Sequence, residues 1–499
     1  MRSLNRSRAA RGRLLASVLV SGMFAGCMSG PNFTPPPAAT DTAYTRAPLS
    51  QLSERSELTL ESTLPMPAQW WALLGSARLD STIHAALQGN RDLTAARARL
   101  AQAQELTAVA NAALYPQADL SAMVARQKYG AAFLGPQFKL PAFNSFSVGP
   151  NVSYAFDFAG GRRRTLEQQQ ALEQAQQQQL HAAALAVSGN VAMQALAIAA
   201  SRAQLEALEL VLGDDQRNLQ LVQDSFDAGS ATRVDVLNAK SQLANDQTLL
   251  PPLRRQVALA QHALAVLVGD TPASFAAPDF RLSEFHLPAA LPLAVPSELA
   301  HRRPDIQASE AQLHAATAAV GVAAANLYPQ VSLSATASLQ ANVLSQIFTI
   351  GNGGYGLTGS LTAPLFNHGA LRARQRAAVD EMNAALADYQ QSLLAAFSQV
   401  ADSLEALDHD QELLVSEQAA LDTSSQSLAL TRESYSAGNS GVLQVLDAQR
   451  QNQEARLGLV RVQGQRYQDT VQLLLALGGA VPEVSVDGPG TSAALAPPP

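Results

Sequence analysis

Residue types that carry catalysis are present in this 499-residue chain, but none has the spacing of an active site. The eight histidines are scattered, and no HExxH or CxxC spacing marks a metal site. The run Gly351-Asn352-Gly353-Gly354 falls in a predicted loop, whereas a phosphate-binding loop would follow a strand. No local signature marks a nucleophile. We therefore predict no enzyme activity, no catalytic residue, no metal and no cofactor.

Cys27, the only cysteine, is the one residue placed for covalent chemistry. It follows five arginines within the first 13 residues, an apolar run from Leu14 to Gly22, and the small-residue stretch Phe24-Ala25-Gly26. This is the arrangement of a secretory signal peptide, which predicts removal of residues 1–26. A signal that ends at a lone cysteine resembles the bacterial lipobox, in which the thiol is acylated. The alternative is an ordinary signal peptide with an incidental cysteine.

The composition points away from a bulky globular core and from nucleic acid. The apolar fraction is 47%, but alanine dominates it, aromatic residues make up only 5%, and the net charge is −7. Alanine suits helices that approach closely along narrow seams. The acidic balance disfavours a nucleic-acid partner. No stretch after the signal has about 20 unbroken apolar residues, so we expect no transmembrane helix.

An internal repeat organises the chain. The segment Arg302 to Gln330 repeats Arg91 to Gln117 without a gap, about 213 residues later, and both end in Tyr-Pro-Gln. We therefore predict one duplicated domain over residues 69–478, with halves at about 69–270 and 296–478. An extended tether, residues 27–68, precedes it, and a disordered tail, residues 479–499, follows it.

Each half contains two segments in which apolar and polar residues alternate. The alternation is clear over Ser147 to Phe158, Val331 to Leu339 and Leu357 to Leu365, and weaker over Ala118 to Ala125. Segments of this kind are typical of tilted membrane-spanning β-strands. A two-layer soluble sandwich is the alternative. Because four strands cannot close a barrel and lipid does not tolerate an open sheet edge, the membrane interpretation requires an oligomer.

A very long helix follows each strand pair, which makes the predicted fold mixed α+β. The two helices are expected over Gly161 to Asp227 and Gly369 to Ser436, about 65 residues each and thus about 100 Å long. Returning helices are expected over Arg233 to Val268, broken at Pro251-Pro252, and over Gly441 to Leu477. Such helical hairpins fit a tube better than a globule.

Several motifs occur in a characteristic order along the duplicated chain. They are Gly26-Cys27, Pro31-Asn32-Phe33, Trp70-Trp71, Asn90-Arg91-Asp92-Leu93, Arg302-Arg303-Pro304-Asp305-Ile306, Tyr328-Pro329, Tyr435-Ser436-Ala437-Gly438 and Leu446-Asp447-Ala448-Gln449-Arg450. Through them, the chain from Cys27 to Gly478 resembles the bacterial outer-membrane efflux lipoproteins. These are the TolC-like outer-membrane factors of tripartite resistance-nodulation-division (RND) pumps.

The resemblance implies a TolC-like homotrimeric channel with four transmembrane strands per chain, a 12-stranded barrel and a long periplasmic helical tunnel. It implies a passive exit duct for drugs or other small toxic compounds, in the outer membrane of a Gram-negative bacterium. The partners would be outer-membrane lipid, a periplasmic adaptor (membrane fusion protein) and an inner-membrane RND transporter. N-acyl and diacylglycerol groups on Cys27 would anchor it. The alternatives are a type I protein-secretion channel and a pore-less periplasmic coiled-coil scaffold or adaptor.

The resemblance also implies roles for residues near the two helix-stopping turns. Gly229 and Gly438 would lie at the periplasmic tip, where the adaptor is contacted. Leu443 and Asp447 would project inward as rings that form a periplasmic gate. In the alternative interpretation, Leu443 is an ordinary seam residue and Asp447 a solvated charge. The first half carries Asn238 at the position of Asp447, so only the second half would supply an acidic ring.

The group Arg303, Pro304 and Asp305 looks reactive but is predicted to start a helix. Proline fits the first helical turn, and an acidic residue beside it complements the positive end of the helix dipole. We interpret these residues as structural and not as a ligand site.

Overall fold

The computed structural model describes residues 28–37, 43–45, 59–61, 64, 66–128, 141–288, 290–293 and 295–479. Cys27, the predicted signal peptide and residues 480–499 of the predicted tail lie outside these ranges. The chain forms two compact units, to which both halves contribute. Of the described residues, those within 28–36, 100–175 and 309–389 form the sheet unit, and those within 37–99, 176–308 and 390–479 form the hairpin unit.

The sheet unit contains one four-stranded antiparallel sheet in sequential order. Its strands are β1 (Gln117–Gln127), β2 (Phe143–Phe156), β3 (Gln330–Ala341) and β4 (Gly353–Thr362). Pairing of β2 with β3 joins the two halves of the duplicated chain. The strands contain 11, 14, 12 and 10 residues, lengths that suit tilted strands crossing a bilayer.

Large apolar side chains on the outer strands are not covered by the chain itself. The exposed fraction is 77% for Leu120, 75% for Val124 and 70% for Leu357. Within the described residues, β1 pairs only with β2 and β4 only with β3, so each outer strand has one unpaired edge. This sheet therefore has apolar surface and backbone groups that require a partner outside the protomer.

The last strand ends earlier than its alternation predicts. We expected a strand through Leu365, but β4 ends at Thr362, and Leu365 and Phe366 lie beyond it. Pro364 has no N–H for a ladder hydrogen bond, which explains the early end.

The helices follow the predicted bounds closely. They are α1 (Ala77–Gly89), α2 (Arg91–Ala112), α3 (Gly161–Asp227), α4 (Arg233–Gln247), α5 (Leu250–Val268), α6 (Pro296–Arg302), α7 (Pro304–Ala325), α8 (Ala370–Ser436) and α9 (Val442–Ala476). The two long helices α3 and α8 each contain 67 residues.

The returning helix of the first half breaks before its prolines. The expected break was at Pro251-Pro252, but α4 ends at Gln247 and α5 begins at Leu250. The prolines occupy the first turn of α5. Backbone N–H groups in the first turn have no intrahelical acceptor, so a proline there costs no helical hydrogen bond. The second half has a continuous α9 instead, so the duplication is not exact in form.

Among the described residues, α3 is the one helix with a window long and apolar enough to cross a membrane. We expected no such helix from the sequence. In that window, 56% of the residues are buried inside the fold, which is typical of a core helix.

The segment after Cys27, residues 28–36, lies against the sheet unit, and we name it the strap. Buried Arg164 of α3 holds it and donates to the Ser29 carbonyl (3.1 Å), the Asn32 side chain (2.6 Å) and Glu167 (2.7 Å). The Phe33 ring stacks on His314 of α7 at 4.4 Å between centroids.

Two glycines let the strap approach closely. A Cβ on Gly30 would come within 2.5 Å of the Gly321 backbone, and a Cβ on Gly160 within 2.9 Å of Met28 Cα. Gly160 lies four residues beyond Phe156, the last residue of β2. The residue next to Cys27 is therefore held just past the end of a strand.

We predict that Gly149→Ala weakens the pairing of β2 with β3. A Cβ at Gly149 would lie 1.9 Å from the Ala337 carbonyl oxygen, so the strands would have to separate. Overpacking of this kind costs about 1–3 kcal/mol, and we expect a lower midpoint of thermal unfolding. Gly359→Ala on β4 is the matched control, because its Cβ would meet nothing within 4 Å. Equal midpoints for both variants would contradict the prediction.

We predict that Arg164→Ala releases the strap. Each lost charge-assisted hydrogen bond from Arg164 to the strap costs about 1.5–3 kcal/mol, so the Ser29 amide, which donates to the Ala159 carbonyl (3.1 Å), should lose protection against hydrogen exchange. Arg163→Ala is the control, because the Arg163 side chain is exposed. Unchanged protection in Arg164→Ala would show that other contacts hold the strap.

Candidate functional site

The hairpin unit contains two turns with the same backbone geometry, which we name the tip turns. Gly229 and Gly438 have φ angles of +78° and +75°, which favour glycine. In the first turn, Gly229 N–H donates to the Phe226 carbonyl (2.9 Å) and Ser230 N–H to the Ser225 carbonyl (2.8 Å). This paired arrangement is the Schellman end of a helix, and it recurs at the second turn.

The two hairpins pack together beside the turns. Their shared cluster comprises buried Val222, Val236, Ala239 and Val442, with half-buried Leu219, Phe226, Tyr435 and Leu446 against it. The Ser225 hydroxyl lies 3.3 Å from the Tyr435 hydroxyl. Side chains from both halves of the chain thus form one end of the hairpin unit.

The return helices begin differently in the two halves. Thr232 and Asp235 form a capping box at the start of α4: the Thr232 hydroxyl accepts from Asp235 N–H (3.2 Å), and the Asp235 carboxylate accepts from Thr232 N–H (2.8 Å). The Thr232 hydroxyl also donates to the Asp235 carboxylate (2.7 Å), and this bond, followed by the bond from Thr232 N–H, lowers the pKa of Asp235. Helix α9 has Gly441 at its N-cap and no side-chain cap. The first turn of α9 therefore lacks one stabilising contact that α4 has.

The two predicted gate residues are both exposed in the protomer. Leu443 is 56% exposed although it is apolar, and it lies on the first turn of α9. Asp447 accepts from Arg450 at 2.8 Å and from Gln451 at 3.0 Å. Asn238, at the corresponding place on α4, is also exposed.

Arg450 is a candidate site residue that the sequence analysis did not assign. It pairs with Asp447 and, at 3.0 Å, with Glu454. The hydrogen bond to Asp447, followed by the charge of Glu454, raises the pKa of Arg450. Its spacing of three residues after Asp447 was the available signal, because such residues share a helix face. Each Asp447 therefore carries its own cation.

The three residues predicted at a helix start lie in a structural clamp. Pro304 is the first residue of α7, and Asp305 is in its first turn. The Arg303 guanidinium, which is buried, donates twice to Asp305 (3.0 and 2.6 Å) and once to the Ala476 carbonyl (3.0 Å). The last carbonyls of a helix lack intrahelical partners, so Arg303 ties the end of α9 to the start of α7.

Within the described ranges, no three His, Cys, Asp or Glu side chains are grouped to hold a metal ion. The geometry around the tip turns offers exposed apolar and paired charged side chains, which suit a constriction or a docking surface.

Comparison with known proteins identifies the family. The family model described as "Outer membrane efflux protein" matches residues 82–270 and 295–479. The pyoverdine export outer membrane protein OpmQ of Pseudomonas aeruginosa is 34% identical over 415 residues, covering 82% of this chain and 87% of OpmQ. The toluene efflux pump outer membrane protein TtgF of Pseudomonas putida is 28% identical, covering 94% of this chain and 97% of TtgF.

The fold also matches solved structures. The outer-membrane channel OprN gives a TM-score of 0.83 at 28% identity, covering 91% of this chain and 99% of OprN. The outer membrane protein VceC of Vibrio cholerae gives a TM-score of 0.77 at 27% identity, covering 83% of this chain and 99% of VceC. These matches confirm the mixed α+β fold of TolC-like outer-membrane channels, the outer-membrane location and the efflux function. The chain belongs to the outer membrane efflux protein family.

Proposed function

We propose that this outer-membrane efflux protein is a homotrimeric exit duct. The observation that carries the proposal is the four-stranded sheet with two unpaired edges and uncovered apolar side chains. A closed barrel of about eight strands has an interior just wide enough for side chains to fill. Four strands are therefore too few to close a barrel. Three chains would supply twelve strands and leave no edge in the lipid.

In this proposal, a periplasmic adaptor docks at the tip turns and connects the duct to an inner-membrane RND transporter. Gly229 and Gly438 support a contact there, because the space beside each glycine is open. The duplicated domain over residues 69–478 would form the channel, with halves at about 69–270 and 296–478.

We propose small organic molecules as the cargo. The relatives OpmQ and TtgF are named for export of pyoverdine and for efflux of toluene, respectively. These names favour efflux over type I protein secretion. The sheet favours a channel over a pore-less scaffold, because a scaffold in water would not be expected to expose large apolar side chains on its strands.

We also propose that Cys27 carries N-acyl and diacylglycerol groups. The strap supports this, since Met28 lies against Gly160, just beyond the end of β2. Acyl chains on the preceding residue would then reach the bilayer at the level where the strand leaves it. A further relative, SilC of Salmonella typhimurium, is named a probable outer membrane lipoprotein.

The gate in this proposal consists of Leu443 and Asp447 from each chain, with Arg450 as the partner of Asp447. A ring of three leucines resists wetting, and three carboxylates at close quarters repel each other unless cations lie beside them. The Arg450 guanidinium, 2.8 Å from Asp447, supports a narrow resting ring because it offsets that repulsion.

We predict that Leu443→Ala and Asp447→Ala each raise the single-channel conductance of the protein in planar bilayers severalfold above a small wild-type value. The first removes apolar bulk, and the second removes the anchor of Arg450. Asn238→Ala is the control and should leave the conductance close to wild type. Unchanged conductance in both gate variants would contradict the gate assignment. Absence of conductance in the wild-type protein would contradict the proposal that it is a channel.

We predict that Cys27→Ser abolishes incorporation of radiolabelled palmitate in a bacterial host. Each buried CH₂ of an acyl chain contributes about 0.8 kcal/mol to membrane binding. The variant chain should still reach the outer membrane if its strands insert. Labelling of Cys27→Ser equal to wild type would exclude lipidation at this residue.

A further inference from the structure

The hairpin unit contains a buried carboxyl group that belongs neither to the proposed gate nor to the tip turns. Asp215 of α3 is 3% exposed, about 18 Å along the helix from its end at Asp227. Aspartate is almost never this buried without a partner. Two amides of α9 hold one of its oxygens: Oδ1 accepts from Gln449 (3.0 Å) and Gln453 (2.9 Å).

The partner of Asp215 on α4 is another carboxyl group. The Asp246 carboxyl group, near the C-terminal end of α4, lies close enough to share a hydrogen bond with Asp215 when one of the two groups is protonated. No described N–H or O–H donor reaches the enclosed Asp215 Oδ2, and Asp246 Oδ2 already accepts from Gln242 at 2.9 Å. Two ionised carboxylates have acceptors only, so a hydrogen bond between them requires one proton.

The surrounding charges favour that proton. The charged groups that act on Asp215 are Asp246 on α4 and Asp214 on α3 itself, whereas α9 presents the two neutral amides. Burial, then the bond and charge of Asp246, raise the pKa of Asp215 from 3.8 to about 7, against a smaller lowering by Gln453. Asp215 therefore loses its proton near neutral pH.

Because the pair lies at the end of α4, its protonation can affect how α4 is held against α3. Asp246 is one residue from Gln247, the end of α4, and α5 begins only at Leu250. The end of α4 is thus next to a helix break, where Thr248 N–H donates to the Asn245 carbonyl and Leu249 N–H to the Asp246 carbonyl, so a bend there disturbs only these two turn bonds. On the opposite side, the Gln449 and Gln453 amides fix the Asp215 carboxyl to α9 through Oδ1, and no described donor reaches Oδ2.

We propose that Asp215 and Asp246 form a proton-binding site that holds α4 against α3, and that loss of the proton releases the C-terminal end of α4. The inference rests on the proposed function only for its effect on the channel, since a released α4 loosens the first hairpin at the tip.

The direction of the pH effect follows from linkage. With α4 released, the Asp215 carboxyl group meets water and its pKa returns to about 3.9. The docked state binds the extra proton, so its stabilisation is complete below about pH 4 and is lost as the pH rises through about 7. Alkaline solution should therefore free α4, and mild acid should keep it docked.

The test is hydrogen exchange of the full-length protein in detergent, followed at the amides of α4 between pH 6 and pH 8. After correction for the intrinsic pH dependence, we expect wild-type exchange to rise about tenfold, in step with the ionised fraction of the pair. Asp215→Asn and Asp246→Asn each leave a neutral amide that can donate to the remaining carboxylate. Both variants should show slow exchange with no such rise.

The matched control is Asp410→Asn. Asp410 of α8 is also buried, and burial followed by its bond to Asp469 of α9 raises its pKa to about 7. That pair lies within the second hairpin, so its loss should leave the pH response of α4 unchanged.

Wild-type exchange that does not change with pH would overturn the proton site. So would a wild-type pH response of α4 exchange in both Asp215→Asn and Asp246→Asn. Loss of that pH response in Asp410→Asn would also overturn it. If one variant of the pair does not fold, the other decides. Conductance recorded in parallel separates the two proposals: an inactive wild type would refute the channel, while the exchange data would still test the proton site.

Discussion

Backbone hydrogen bonding at the edges of the sheet is the constraint on which this molecule depends. In lipid, an unpaired N–H or C=O costs several kcal/mol, because no water is present to replace the missing partner. Strands β1 and β4 each have one such edge within the described residues, and their side chains are mostly exposed on both faces. No single chain of this design can enter a bilayer with its hydrogen bonds complete. The proposed trimer follows from that deficit.

Duplication explains how one chain provides both a four-stranded sheet and a pair of helical hairpins. Each half contributes two strands, a 67-residue helix and a returning helix. The two halves differ in their returning helices. The first half has the capping box of Thr232 and a broken return helix, and the second has Asp447 with Arg450 on an unbroken α9.

Local patterns made most of the fold predictable from the sequence. The bounds of α3 agree with prediction because a left-handed glycine at 229 stops the helix, and alternation located the four strands. Prolines decided the two differences in bounds: Pro364 shortened β4, and the predicted break of the first returning helix lies just before Pro251 because both prolines occupy the first turn of α5.

The candidate sites were predictable only in part, because their contacts join residues far apart in the chain. Asp215 and Gln453 are separated by 238 positions, and no local spacing indicates that they meet. Arg303 is 173 positions from Ala476. The family resemblance supplied Leu443 and Asp447, whereas only the structure revealed that Arg450 neutralises the carboxylate. Buried polar contacts of this kind require the packed helices before they can be recognised.

The most direct measurement is an electron-microscopy image of the particle purified in mild detergent, with its subunit count. The account predicts three chains around a threefold axis, with one closed β-barrel and a hollow centre that continues between the helices. A monomer, or an assembly whose axis is filled by protein, would contradict it.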